Sequence, residues 1–66
     1  MTIVVNGEDR ETRPGTTVMA LLETLGLAPG RVAVEVNGRI LRREEFGRVT
    51  FAERDRVEIV QLVGGG

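Results

Sequence analysis

The clearest pattern of apolar positions in the chain predicts one amphipathic α-helix. Four apolar residues are spaced i, i+3, i+4 and i+7, as on one face of a helix: Val18, Leu21, Leu22 and Leu25. Thr16 or Thr17 can cap its N-terminus, because either hydroxyl can accept a hydrogen bond from a backbone N–H of the first turn. Gly26 can adopt the left-handed conformation that ends a helix, and Leu27 can then fold back onto the last turn.

Two strands are predicted before this helix. Residues 3–5 are β-branched, and Asn6-Gly7 suits a two-residue turn in which both residues have positive φ. Residues 8–13 would form the returning strand. Their polar character is typical of a sheet edge protected by charge. The N-terminal segment is therefore predicted to be a β-hairpin.

Three further strands are predicted after the helix. Residues 32–36 alternate between valine and other residues, as in a half-buried strand. Asn37-Gly38 is a second hairpin turn, and it leads into residues 39–41. Residues 56–63 form the last and longest predicted strand.

The order of these elements predicts an α+β fold. Residues 42–46 can form one helical turn with Phe46 pointing inward, between the second hairpin and the last strand. A mixed sheet of four to five strands would pack on one main helix, with the first and last strands parallel and adjacent in its centre. That arrangement is the β-grasp, or ubiquitin-like, fold. We expect residues 1–66 to form a single domain with a flexible C-terminal tail at residues 64–66.

Composition narrows the range of functions. Nine basic residues against ten acidic residues give a net charge of -1, so neither a nucleic acid nor a membrane is expected as a partner. The chain has no cysteine or histidine, and no lysine, so we predict no catalytic residue, no metal site and no cofactor bound by the chain itself. The N-terminus lacks the features of a signal peptide, which makes a cytoplasmic location the expectation.

The C-terminal glycines are the strongest candidate for a functional segment. Gly64, Gly65 and Gly66 follow directly on an apolar strand, although a low-complexity end without function would look the same. Glycine has no Cβ, so such a tail can enter a narrow active site. Three extended residues span about 10 Å. The carboxylate of Gly66 would be ionised at neutral pH and would need activation, for example as an acyl-adenylate, before a nucleophile could attack it.

The last strand carries candidates for partner docking. One of its faces changes from charged at Arg56 and Glu58 to apolar at Val60 and Leu62. These apolar residues could form a docking patch beside the tail. They could equally be covered, as in a central strand buried on both faces. Phe46 is a further candidate for a docking residue.

Over nearly its whole length the chain resembles the ThiS family of sulfur carriers from thiamine biosynthesis, which are related to MoaD. Six segments carry the resemblance: residues 3–7, Thr17-Val18 with Leu21-Leu22, residues 34–38, residues 42–46, residues 55–60 and the terminal Gly65-Gly66. Two positions depart from the family pattern. Arg42 stands where many members have proline, and Arg54 stands where a turn often has glycine, so an altered turn is expected there.

The resemblance implies a mechanism and three partner proteins. A ThiF-like adenylating enzyme would use ATP and magnesium to adenylate Gly66. A cysteine desulfurase would supply the sulfur that converts the terminus to a thiocarboxylate. A ThiG-like thiazole synthase would accept that sulfur. The chain would thus be a protein co-substrate rather than an enzyme, and its three C-terminal glycines would be the segment that enters the partners' active sites.

Three other functions remain open at the level of sequence. The same tail could deliver sulfur to molybdopterin or to tRNA thiolation. It could also form isopeptide bonds, as in a ubiquitin-like protein modifier. An interaction module that does not use the tail is the third alternative, and near-zero charge with two aromatic residues argues against one that binds RNA.

Overall fold

The computed structural model describes residues 1–63, which form a five-stranded sheet covered by one α-helix. The elements in chain order are β1 (Thr2–Val5), β2 (Glu8–Glu11), α1 (Val18–Leu25), β3 (Val32–Val36), β4 (Arg39–Ile40) and β5 (Arg56–Gln61). Two short 3₁₀ turns lie at Pro29–Arg31 and Arg43–Glu45. The strand order is β2-β1-β5-β3-β4, with β1 and β5 parallel and the other pairs antiparallel. The predicted α+β fold of the β-grasp type is confirmed.

The helix begins and ends as the sequence predicts. Thr17 is the N-cap, and its hydroxyl accepts a hydrogen bond from the Ala20 N–H at 3.1 Å. Gly26 has a φ of 72°, in the left-handed region. The Leu27 N–H then donates to the Leu22 carbonyl at 2.9 Å, which completes a Schellman-type end. Both ends of α1 are thus fixed by local chemistry.

One hydrophobic core lies between α1 and the inner face of the sheet. Its eleven buried residues are Ile3, Val18, Leu21, Leu22, Val32, Val34, Leu41, Phe46, Phe51, Val57 and Ile59. The helix contributes the apolar stripe, and the strands contribute alternate positions. Among the described residues, no side-chain polar atom is buried without a hydrogen-bond partner.

Three predicted strands are shorter in the structure, and the smallest difference is in β4, which ends at Ile40 rather than at residue 41. β2 ends at Glu11 rather than at residue 13, shortly before Pro14, which lacks an N–H for strand pairing. β5 ends at Gln61 rather than at residue 63 because its partner β3 begins at Val32, directly opposite Gln61. A single further hydrogen bond, from the Leu62 N–H to the Arg31 carbonyl at 2.8 Å, holds the chain beyond the strand.

The turn before β5 has a residue other than glycine in the left-handed region. Arg54 has a φ of 69°, a left-handed conformation that glycine adopts without strain. The Arg54 N–H donates to the Thr2 carbonyl at 2.7 Å, so the turn is tied to β1. Of the strained or altered turn expected at Arg54, the structure shows the strain, a left-handed φ in a residue that has a Cβ.

Candidate functional site

The candidate site is the C-terminal end of β5, the strand that carries the glycine tail. β5 lies between β1 and β3 in the centre of the sheet. Its inward residues Val57 and Ile59 are 0% and 8% exposed, so they fix the strand to the core. The strand that precedes the tail is therefore anchored in the core.

The outer face of β5 is apolar and exposed at this end. Val60 is 59% exposed and Leu62 is 53% exposed, whereas Arg56 and Glu58 occupy the same face nearer the start of the strand. Val63, the last described residue, is 98% exposed. The alternative in which both faces are covered is wrong for this end of the strand. We call Val60 and Leu62 the strand-end patch.

A charged row separates the strand-end patch from another exposed apolar residue on the same face. The register places Ala33 opposite Val60, and Glu35 opposite Glu58. Ile40 lies opposite Glu35 on β4 and is 69% exposed. Paired residues of antiparallel strands share a face, so Ile40 faces outward like the patch but lies beyond the two glutamates.

Phe46 is not part of this surface. Its side chain is 2% exposed, and the Phe46 carbonyl accepts a hydrogen bond from the Met19 N–H at 2.8 Å. The expectation that Phe46 contributes to docking is wrong, because the turn at Arg43–Glu45 directs its ring into the core. The inward orientation predicted for it is confirmed.

Two asparagines hold β5 in place, and the sequence indicated only their part in turns. Asn6 and Asn37 have φ values of 49° and 52°, as the Asn-Gly turns require. The Asn6 side chain also forms two hydrogen bonds with the backbone of Ile59. Its Oδ1 accepts one from the Ile59 N–H at 2.8 Å, and its Nδ2 donates one to the Ile59 carbonyl at 3.1 Å. On the β3 side of β5, the Asn37 side-chain oxygen accepts from the Arg56 N–H at 2.9 Å. No sequence signal indicated this second role, because the partners lie far apart along the chain.

A groove that sequence reasoning missed lies beside Leu62. Its lining residues are Gly26, Leu27, Ala28, Arg31, Val32, Gln61 and Leu62. It is formed because Gly26 ends the helix and the Pro29–Arg31 turn brings the chain back beside the end of β5. Arg31 is the one charged residue among those that line it. The groove therefore adds a surface of mixed apolar and polar character, with a single cation, beside the strand-end patch.

The described residues show little chemistry of their own at this end of the molecule. The pKa of Glu45 is lowered, first by the hydrogen bond that its carboxylate accepts from the Arg42 N–H, and then by Arg39. These bonds hold the 3₁₀ turn rather than a reacting group. Within residues 1–63, no cluster of three or more potential metal ligands occurs. Across the same part of the chain, no helix has the length and apolar character needed to cross a membrane.

The tail itself lies outside the described residues. The predictions that Gly64, Gly65 and Gly66 enter partner active sites, and that Gly66 is the modified residue, concern that segment and stay predictions. The structure places the residues that precede it: an ordered central strand, an exposed apolar flank and an adjoining groove. Such an arrangement can present a narrow terminus together with a surface for recognition.

Comparison with known proteins gives consistent results. The model of the ThiS family matches residues 3–66. A thiazole synthase from Magnetococcus marinus is 44% identical over all 66 residues, and the chain spans 20% of the length of that relative. The sulfur carrier protein ThiS of Bacillus subtilis is 38% identical over 63 residues, covering 94% of this chain and 96% of the relative.

A solved structure agrees with the fold. The crystal structure of the thiamine biosynthesis protein ThiS from Geobacter metallireducens superposes with a TM-score of 0.78 at 38% identity, and the match covers 100% of both chains. Sequence and structure therefore agree over the five strands, the helix and the segment leading to the tail. The chain belongs to the ThiS family.

Proposed function

We propose that this chain is a sulfur carrier in thiamine biosynthesis and that its sulfur is held as a thiocarboxylate on Gly66. The observation that carries this proposal is its similarity to the Bacillus subtilis sulfur carrier protein ThiS over nearly the full length of both chains. The family match extends to residue 66, so it includes the glycine tail. The placement of β5 supports it, because the tail leaves from the rigid centre of the sheet.

The chemistry requires three steps: adenylation and sulfur attack, both carried out with partner enzymes, and release of the thiocarboxylate by a thiol. The Gly66 carboxylate attacks the α-phosphorus of ATP, with magnesium on the phosphates, and pyrophosphate leaves. A sulfur nucleophile then attacks the acyl carbon of the adenylate and AMP leaves, so that one oxygen of the terminus is replaced by sulfur. A ThiF-like enzyme would catalyse the adenylation. A cysteine desulfurase would supply the sulfur as a persulfide, whose outer sulfur attacks to give an acyl disulfide. Two thiol groups then reduce its S–S bond, are themselves oxidised to a disulfide, and leave the thiocarboxylate on Gly66.

A ThiG-like thiazole synthase is the proposed acceptor of the sulfur. The support is the relative named thiazole synthase, one fifth of whose length is similar to the whole of this chain. The carrier segment and the synthase thus occur in a single polypeptide there. We propose that this chain serves a partner of the same kind.

The strand-end patch is the proposed recognition surface of these enzymes. Burying an exposed valine or leucine side chain contributes about 1.5–3 kcal/mol when burial is complete, so the two half-exposed residues of the patch can contribute roughly half of that each. A carboxylate introduced there would have to be desolvated without a partner. Because the strand-end patch lies beside the tail, a partner bound there would have its active site within reach of Gly66.

The intact mass of the chain tests the chemistry. The protein is incubated with its adenylating enzyme, ATP, magnesium chloride and sodium sulfide, and then measured by mass spectrometry. We expect a mass increase equal to sulfur minus oxygen, mapped to Gly66 by fragmentation. A chain lacking Gly66 is the control and should show no shift. Absence of the shift in the full chain with its cognate enzyme would refute the proposal.

A pair of aspartate variants tests the recognition surface. Val60→Asp and Leu62→Asp should reduce the rate of adenylation at low carrier concentration by tenfold or more, since about 1.4 kcal/mol corresponds to a factor of ten. Ile40→Asp is the matched control, because Ile40 is even more exposed and lies on the same face beyond the glutamates. Equal adenylation of all three variants, each folded by circular dichroism, would exclude the patch as a docking surface.

A further inference from the structure

The β1 side of β5 is only partly occupied within the fold. β1 pairs with β5 at two positions, Val4 with Arg56 and Val5 with Val57. The chain then turns away at Asn6-Gly7, where the Asn6 N–H donates to the Val57 carbonyl at 2.8 Å. β5 continues to Gln61, so it extends beyond the last residue that pairs with β1.

The Asn6 side chain replaces one further residue of β1. Its carboxamide pairs with both the N–H and the carbonyl of Ile59, as the peptide group of a neighbouring strand would. The next backbone groups that face the same way along β5 are those of Gln61, because successive groups alternate between the two sides of a strand. Among the described residues, no strand pairs with Gln61 on that side and no hydrogen bond to its N–H or carbonyl is formed there.

The pairing with β3 confirms the direction of these groups. The Asn37 N–H donates to the Arg56 carbonyl, and the Leu62 N–H donates to the Arg31 carbonyl, each at 2.8 Å. The even-numbered residues of β5 thus direct their backbone groups toward β3. Gln61 lies opposite Val32 in this register, so its N–H and carbonyl point away from β3 and toward the open side.

The residues around Gln61 differ from those at the two outer edges of the sheet. At one edge, β2 has the charged sequence Glu8-Asp9-Arg10-Glu11, and at the other edge β4 is only two residues long. Charge and short length both discourage an edge strand from pairing with another chain. Residues 60–63 are Val, Gln, Leu and Val, with no charge, and they are exposed. This stretch lacks the protection that the true edges have.

We infer that the open side of β5 at Gln61 is a strand-addition site for an extended segment of the enzymes that take up the tail. The occupant is an extended polypeptide, because the groups it must satisfy are one N–H and one carbonyl in the spacing of a β-ladder. Its side chains would lie beside the strand-end patch. The Asn6-Gly7 turn limits how far the added strand can extend toward the start of β5. This inference rests on the proposed function, since it specifies how the same partners are bound.

Backbone chemistry tests the site directly. A chain of 66 residues is accessible to chemical synthesis, so Gln61 can be replaced by N-methyl-glutamine, which removes the N–H and keeps the side chain. We expect its affinity for the adenylating enzyme or the thiazole synthase, measured by calorimetry, to fall by about tenfold or more, as for an unsatisfied buried group. Its melting temperature should be unchanged. Gln61→Ala should bind within about threefold of the natural chain, because the side chain is not part of the ladder.

N-methylation of Leu62 is the matched control. Its N–H donates within the fold to Arg31, so this variant should melt at a lower temperature. Unchanged affinity of the Gln61 variant for both enzymes overturns the inference, and so does a lowered melting temperature, which would mean that its N–H is already used. The proposed function has a separate readout, because thiocarboxylate formation on the unmodified chain is measured without reference to these variants.

Discussion

Replacing Asn6 by glycine should destabilise the protein more than the same change at Asn37. Both residues precede a glycine in a hairpin turn and have nearly the same positive φ, 49° and 52°. Glycine keeps that backbone conformation accessible at either position. The change therefore removes the side-chain hydrogen bonds, and the additional freedom of glycine in the unfolded chain is the same in both variants.

The expected magnitudes differ because the lost partners differ in burial. Asn6 bonds to the backbone of Ile59, a residue that is 8% exposed, so both of its groups lose a partner in a partly buried setting. An unsatisfied buried group costs about 1–3 kcal/mol. Allowing for partial access of water, Asn6→Gly should lose about 2–4 kcal/mol of unfolding free energy. The Asn37 side chain forms hydrogen bonds with Arg56 and Asp55 in exposed positions, where water can take the place of the lost carboxamide. Asn37→Gly should therefore lose about 1 kcal/mol of unfolding free energy.

Urea denaturation followed by far-ultraviolet circular dichroism measures both values. Circular dichroism is required because the chain has no tryptophan or tyrosine to report by fluorescence. In a domain of this size, about 1 kcal/mol corresponds to roughly 4–8 °C in melting temperature, so the two variants should be clearly separated. If Asn6→Gly loses no more stability than Asn37→Gly, the view that the Asn6 carboxamide acts as a substitute strand for Ile59 is refuted.

Four further substitutions have defined outcomes. Phe46→Ala should lose about 3–5 kcal/mol by urea denaturation, since it empties a core position, and Phe46→Leu should lose less. Thr17→Ala should lose about 1 kcal/mol by removing the N-cap bond of α1, whereas Thr17→Ser should retain it; equal losses would contradict the capping role. Arg54→Gly should gain about 0.5–1 kcal/mol of unfolding free energy, because removing the strain of a left-handed φ outweighs the greater backbone entropy of glycine in the unfolded chain. The 3.7 Å ion pair with Asp9 that is lost is exposed and contributes little. A lower melting temperature would count against this prediction. Because the pKa of Glu45 is lowered in the folded protein, the stability gained from its ionised carboxylate is present above the pKa of the unfolded chain and is lost as the pH falls through the pKa of the folded protein. The melting temperatures of wild type and Glu45→Gln should therefore differ at pH 7 and converge in acid.

The sequence predicted those parts of the fold that depend on local chemistry. The helix face, the Thr17 cap and the Gly26 stop all follow from spacing and from the properties of single residues, and the structure confirms them. The order of the elements was sufficient to place β1 beside β5. The lengths of β2 and β5 were overestimated, because a strand ends where its neighbour ends and the sequence does not show that register.

Less of the candidate site's surface could be predicted from the sequence. Alternation along β5 placed Val60 and Leu62 on one face, but only the tertiary structure shows that this face is uncovered. Phe46 was assigned both inward and docking roles, and packing excludes the second. The hydrogen bonds from Asn6 to Ile59 join residues 53 positions apart, which no local pattern can reveal.

If the proposed function holds, the position of β5 accounts for partner binding by a chain with so small a core. Its inward residues Val57 and Ile59 hold the strand, and β1, β3 and the Asn6 carboxamide satisfy the backbone up to residue 59. Beyond that point the Gln61 N–H and carbonyl on the β1 side have no hydrogen-bond partner among the described residues, and the side chains of Val60 and Leu62 are exposed. Under the proposed function, a partner would bind these groups while the contacts of β5 with β3 and with the core stay in place. Mutations of the exposed end should thus change recognition and leave stability nearly unaffected, whereas mutations at residues 57 and 59 should do the reverse.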